Sequence, residues 1–352
     1  TLIVGGGLSG LGLAERLESM SQDYGLLEAR DRLGGRILTE KIDQGNFDLG
    51  PAWFWPGQPR MAALIQRFGL AAFDQYAAGD LLFEDEQGRV QRGLGYASMR
   101  GSLRLKGGMD ALIQAVSKQI PPARIQLNAR VMHLERDDDA CRVTLLDGRT
   151  LEAERVVLAL PPRIAAALTY TPALADKAQR ALAETPTWMA SQAKAVAVFD
   201  RPFWRSAGLS GDAMSRRGPM VEIHDASPAH GGPYALFGFI GVPSNGRADE
   251  DHLQHAIRAQ LARLFGKDAA DPQALLIKDW MRDPLTATPA DAVQSYGHPA
   301  YGLPSALQHL WDGRLLLAGT EVANTFGGYL EGALEAAEAA WMQISAHEAA
   351  FS

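Results

Sequence analysis

One cysteine, Cys141, occurs in 352 residues. A disulfide framework and a cysteine-built metal cluster are therefore excluded, and the thiol reads as a small buried apolar side chain. No stretch approaches the roughly 18 consecutive apolar residues that cross a bilayer. Basic residues are few: 34 Lys and Arg against 41 Asp and Glu give a net charge of −7. With no basic stripe, nucleic acid is not an expected partner, and neither is an anionic membrane surface. No secretory leader is visible and a single thiol suits a reducing compartment, so a cytoplasmic location is expected. Thr1 opens directly in a strand, which leaves room for an export segment lost ahead of it. His252 and His255 stand three apart on a predicted helix, but no further ligands accompany them and no metal is expected. Asp137-Asp138-Asp139 reads as a solvated turn, and neither an internal repeat nor a low-complexity tract is present.

What the chain does have is an apolar content of 47% with 21% charged residues, enough for a sizeable core and two domains. Leu2-Ile3-Val4 reads as a buried parallel strand, residues 8–20 as a helix and Leu26-Leu27-Glu28 as a second strand. Helices are predicted over 61–68, from Gly107-Gly108 to about Lys118, over 250–265 and over 327–344. Strands are predicted over 125–127, 131–135, 142–146, 156–160, 193–199, 220–224, 234–240, 275–280 and 314–318, with a hairpin over 81–92. Pro161-Pro162 ends the 156–160 strand sharply. The fold class is α/β. A Rossmann-like cofactor domain, three-layered around a central parallel sheet, is expected from residues 1–56, 101–162 and 291–352. A discontinuous α+β substrate domain is expected from 57–100 and 163–290.

Gly5, Gly7 and Gly10 fit G-x-G-x-x-G between a strand and a helix. The first glycine permits the turn, the second lets the backbone approach a pyrophosphate, and the third lets helix and strand pack closely. Ser9 lies inside this loop, and the helix start supplies free N–H groups and a positive dipole end. Glu28 ends the second strand, where a carboxylate accepts ribose hydroxyls and repels a 2′-phosphate. The pattern predicts a dinucleotide without that phosphate.

Glu28-Ala29-Arg30-Asp31-Arg32-Leu33-Gly34-Gly35-Arg36 resembles the signature of the flavin-containing amine oxidases, the superfamily of monoamine, polyamine and L-amino-acid oxidases. A second glycine pair with Arg30, Gly35 and Arg36 suits another face of the pyrophosphate. Leu315-Leu316-Leu317-Ala318-Gly319-Thr320-Glu321, followed by Gly327-Gly328-Tyr329-Leu330-Glu331-Gly332-Ala333, is similar to that family's closing motif. There Gly319 and Glu321 serve the ribityl or phosphate region. The helix after Gly328, Tyr329 and Leu330 faces the flavin's pyrimidine edge. Asp48-Leu49-Gly50-Pro51-Ala52-Trp53 resembles the segment beside the isoalloxazine, and Val131 falls where the family holds the adenine through backbone groups.

The resemblance implies FAD as cofactor and a role for Lys194, which would hold a water at flavin N5 and assist reoxidation by O2. Tyr329 matches one wall of an aromatic cage, and Trp280 and Trp53 pack near the ring. The implied reaction is hydride transfer from the carbon of an amine, a CH–NH or CH–NH2 donor, to flavin N5, with O2 giving H2O2. The family's covalent variants carry a cysteine nine residues after the tryptophan, followed by a second cage tyrosine. Here those places hold Pro289 and Ala290. The FAD is expected to be non-covalent, with Tyr296 or Tyr301 as candidates to refill the cage. The stretch between Trp53 and Gly107 is short, which predicts a more open site. The alternatives are a flavin-dependent desaturase or dehydrogenase of the protoporphyrinogen oxidase or carotenoid desaturase type, and a non-catalytic FAD-binding protein.

Overall fold

The structure is a computed structural model that describes residues 1–138, 140–293 and 297–351. Tyr296 lies outside the described residues, as does Asp139 of the predicted acidic turn.

Its centre is a five-stranded sheet in the order Leu315–Leu317, Val156–Leu158, Leu2–Val4, Gly25–Leu27, Ile125–Gln126, with every pair parallel. Apart from the half-buried edge strand Ile125–Gln126, strands this short and apolar are covered on both faces. Ile3, Leu26, Val157 and Leu316 point to one side, into a core shared with the helices Leu8–Ser19, Asp110–Ser117 and Leu330–Phe351. Their neighbours Leu2, Val4, Leu27, Val156, Leu158, Leu315 and Leu317 point to the other, against a four-stranded sheet that contributes Leu134, Val143 and Leu145. The strand periodicity of two thus builds the three layers.

A second, seven-stranded sheet runs in the order Ala274–Asp279, Ala193–Phe199, Tyr234–Ile240, Met220–Asp225, Leu209–Ser215, Asp80–Glu84, Val90–Arg92. It is antiparallel except where Leu209–Ser215 runs parallel to Asp80–Glu84. Ala193, Ala195, Ala197 and Phe199 face the helix Glu250–Phe265. Val196 and Val198 face the opposite way, onto Phe47, Leu49, Ala52 and Trp53. The alternation places Lys194 on that second side. The Glu250–Phe265 helix begins at Asp249, whose side chain accepts from His252 N, and stops at Gly266 with φ +91°. Among the described residues no helix is long and apolar enough to cross a membrane, and no cluster of three metal-ligating side chains occurs.

The last helix starts at Leu330, later than its glycine pair suggested, because Gly328 takes φ +83°. Glu331, fully buried, reaches back to the helix Pro59–Arg67 and accepts from Arg60 N at 3.0 Å and Met61 N at 2.8 Å. That helix has no side-chain cap of its own, so Glu331 supplies one from the far end of the chain. Glu331→Ala leaves these N–H groups unpaired and should lower stability by about 2 kcal/mol. Urea unfolding measures it; a loss below about 0.5 kcal/mol, the size of an ordinary surface substitution, would contradict the capping role.

Candidate active site

The glycine loop sits at the carboxyl end of the central strand. Gly5 has φ +111°, and a Cβ there would lie 2.5 Å from Ala159 O. A Cβ on Gly10 would stand 1.9 Å from Gly5 O. These two glycines answer to the protein's own packing. Gly7 does not: its φ is −76°, and a Cβ would meet only Gly34 O, at 4.0 Å. Neither conformation nor neighbours require glycine at 7, and the space beside it is open to the cleft. Gly7 caps the Leu8–Ser19 helix without a side chain, so the first N–H groups remain for an anion.

Around this loop lies a cleft of about 1320 Å³, open to solvent at its mouth. Gly5, Gly7, Ser9, Glu28, Arg30, Gly35 and Arg36 line its first part. Gly319, Gly328, Tyr329 and Leu330 close it from the C-terminal motif, and Gly50, Pro51, Trp53, Lys194 and Trp280 line its far part. The sequence thus brings together segments from both chain ends. Gly10, Ala29, Ala52, Val131 and Glu321 are not on its wall. Gly10 serves packing, Ala52 belongs to the core against the large sheet, and Val131 is buried in the four-stranded sheet.

Glu321 acts one step behind the wall. It is fully buried and takes Arg36 through both oxygens, at 2.7 and 3.3 Å, which fixes the guanidinium toward the cleft. Glu28 accepts from Gly6 N at 2.7 Å and Arg30 N at 2.8 Å; each carboxylate oxygen keeps a lone pair for a ribose hydroxyl. Ser9 lines the cleft but donates its hydroxyl to Ala318 O. A dinucleotide pyrophosphate fits this donor set of helix N-terminus, Arg30 and Arg36.

The far part is built on residues 48–53, which the large sheet grips. Lys194, 5% exposed, donates to Gly50 O, and Trp280 Nε1 donates to Leu49 O at 2.9 Å. Asp48 accepts from Met109 N at 2.9 Å, and Trp53 Nε1 donates to Gln75 Oε1 at 2.7 Å. Burial drives the Asp48 carboxyl up to about 6, against the hydrogen bonds of Thr39 and Met109 and the charges of Arg104 and Lys194. Burial also depresses Lys194 to about 8, with Asp48 opposing.

Tyr329 stands among other aromatic rings at this end. His298 stacks on it at 4.9 Å and 11°, and Trp55 meets it edge-on at 6.2 Å. Trp188 packs on His298 at 4.7 Å. Tyr301, a candidate for the second cage wall, donates its hydroxyl to Pro186 O and packs behind Gly327 and Gly328 instead of on the cleft wall. Trp55, Trp188 and Met189 line the cleft and were missed by sequence reasoning. Trp188 and Met189 lie in the loop before the Ala193–Phe199 strand, where an apolar pair carries no periodic signal. Met189, at φ +58°, is a strained residue facing the cleft. Leu285 and Thr286 also line the cleft and were likewise not anticipated.

The buried lysine generates a pH prediction. Its value is 10.5 in the unfolded chain and about 8 when folded. Between these values the unfolded chain holds the extra proton, so stability rises with pH across that window; below it the cost of the buried cation is present in full. The stability of the ligand-free protein relative to Lys194→Met should therefore rise from pH 8 to 10.5, by up to roughly 3 kcal/mol. Urea titrations at stepped pH measure it, and a difference that stays constant across the window would contradict it.

Comparison with known proteins agrees with this geometry. A family model described as flavin containing amine oxidoreductase matches residues 79–344, and one described as NAD(P)-binding Rossmann-like domain matches residues 3–68. A probable flavin-containing monoamine oxidase A of Dictyostelium discoideum is 24% identical, over 95% of this chain and 94% of that protein. An L-amino acid dehydrogenase of Synechocystis is 23% identical, over 96% and 93%. Among solved structures, cyclohexylamine oxidase from Brevibacterium oxydans superposes with a TM-score of 0.83 at 19% identity, over 98% of both chains. Putrescine oxidase bound to putrescine superposes with a TM-score of 0.82 at 20% identity, again over 98% of both. With the first model spanning well over half of its length, the chain belongs to the flavin-containing amine oxidoreductases, a family of FAD-dependent enzymes.

Proposed function

We propose that the protein is an amine oxidase that binds FAD non-covalently and oxidises a small amine. The observation that carries this reading is Lys194, buried on the cleft side of the large sheet beside Gly50 and next to an aromatic-walled end of the cleft. A lysine in such surroundings is costly unless it has a task. Bound FAD would accept a hydride at N5 from the carbon bearing a neutral amine, and O2 would take the electrons to give H2O2.

The chain's own residues do the rest. Glu28, Arg30 and Arg36 with the glycine loop orient the dinucleotide. Trp53, Trp280 and the 48–53 segment exclude water from the reacting end. Tyr329, Trp55 and Trp188 offer apolar faces to an amine's carbon skeleton, with His298 bracing Tyr329. Lys194 holds or releases a proton next to Gly50 O and so stabilises negative charge formed as O2 is reduced. Pro289 and Ala290 offer no nucleophile to the flavin. On this reading residues 1–56, 101–162 and 291–352 form the cofactor domain, because every strand of the parallel sheet comes from them. Residues 57–100 and 163–290, which supply the whole mixed sheet, form the substrate domain.

The purified protein should be yellow, release its flavin into the supernatant on acid precipitation, and lose its visible band when an amine is added without oxygen. A flavin band bleached by no amine but by a polyene or cyclic apolar substrate would establish the desaturase reading instead. Lys194→Met should slow reoxidation of the reduced enzyme by O2 roughly tenfold or more; an unchanged stopped-flow rate would remove its role.

A further inference from the structure

We propose that residues 283–291 form a strap across the dinucleotide cleft, fastened by Asp283 and Asp291, that sets how fast the cofactor leaves; the proposal rests on the FAD reading above.

The sheet order explains the placement. The central strand Leu2–Val4, which ends in the glycine loop, lies between Gly25–Leu27 and Val156–Leu158. Each flanking strand is followed by an arginine: Arg30 beyond the first, Arg163 beyond the second. The strap joins the two. Asp283 takes Arg30 at 2.8 Å, and Thr286 Oγ1 accepts from the same guanidinium at 3.0 Å. Asp291 takes Arg163 at 2.6 Å. Between these fasteners, Leu285 and Thr286 line the cleft together with Gly5, Gly7 and Arg30. A molecule lying along the glycine loop therefore has the strap for one wall.

The fasteners are built to hold. Asp283, Thr286 and Asp291 are all buried. Asp283 also accepts from Leu285 N at 3.0 Å and pairs with Lys278 at 3.3 Å; Arg30 and Lys278 keep its carboxyl below the usual carboxylate range against the pull of burial. Asp291 accepts from Thr288 N at 2.8 Å and Thr187 N at 3.2 Å, so it also anchors the loop that carries Trp188 and Met189. Buried ion pairs of this kind are expensive to break singly, because the surviving charge loses its partner. Breaking both is what opening the strap requires. The same segment contains Pro289 and Ala290, so the chain that provides no covalent bond to the flavin provides two ionic fasteners over its site.

The test uses the FAD-loaded protein. Flavin release after dilution is followed by fluorescence for wild type, Asp283→Asn and Asp291→Asn, each at low and high salt. Asparagine keeps an acceptor for Leu285 N at position 283 and for one of Thr187 N and Thr288 N at position 291, and melting of the FAD-free forms controls for the folding cost. The strap predicts release from either variant faster by roughly tenfold or more. It also predicts that salt accelerates release from wild type more than from the variants. If wild type holds FAD and both variants release it at the wild-type rate, the strap is overturned and the cofactor reading stands. Faster release with unchanged salt dependence and an equally lowered melting point of the FAD-free form marks a merely structural role and also overturns it. A wild type that takes up no FAD overturns the cofactor reading itself.

Discussion

Everything in the cofactor half depends on the closeness of one helix to one strand. At Gly10 the Leu8–Ser19 helix passes so near Gly5 O that no β-carbon fits between them. That approach aims the helix N-terminus at the end of the central strand and leaves the space beside Gly7 open. Small residues continue the theme outward: Ala14, Ala333, Ala337 and Ala340 let the first and last helices of the chain share one core. An anion site made this way costs the protein little, since the donors are backbone groups whose orientation the packing already dictates.

The second constraint is the grip of the large sheet on residues 48–53. Lys194 and Trp280 both donate to carbonyls of consecutive residues, Gly50 and Leu49, while Asp48 is held from the other side by Met109 N. A short stretch of backbone is thus fixed by three elements that are distant in sequence. The result is a dry region holding one buried carboxyl and one buried amine, each displaced toward its neutral form by burial and pulled back by the other's charge.

Legibility in the sequence followed local physics. The glycine loop, Glu28 and the closing motif could be read because strand, turn and helix there obey simple periodicities, and the Tyr234–Ile240 strand and Glu250–Phe265 helix emerged at their predicted bounds. The hairpin Thr39–Ile42 with Gly45–Asp48 escaped, since its first strand is mostly polar and only its second is buried. Leu209–Ser215 escaped for the opposite reason: it is largely buried yet rich in Ser, Gly and Asp, whose polar groups find partners only in the folded protein. Residues such as Trp188, Leu285 and Thr286 carry no local signal at all; their place on the cleft wall comes from loops that tertiary ion pairs position. Glu321, which the closing motif singles out for the cofactor, holds Arg36 rather than facing the cleft.

The contact of Ser9 with Ala318 links residues 309 positions apart. Arg36 and Glu321 are almost as distant, and the outer strand Leu315–Leu317 pairs with Val156–Leu158 only after the residues between them have been made. During synthesis the glycine loop leaves the ribosome well before these partners. The cofactor site is therefore a late property of the chain, completed only when the C-terminal strand and helix dock. The emerging protein must keep the apolar faces of its central strands from other partners until then.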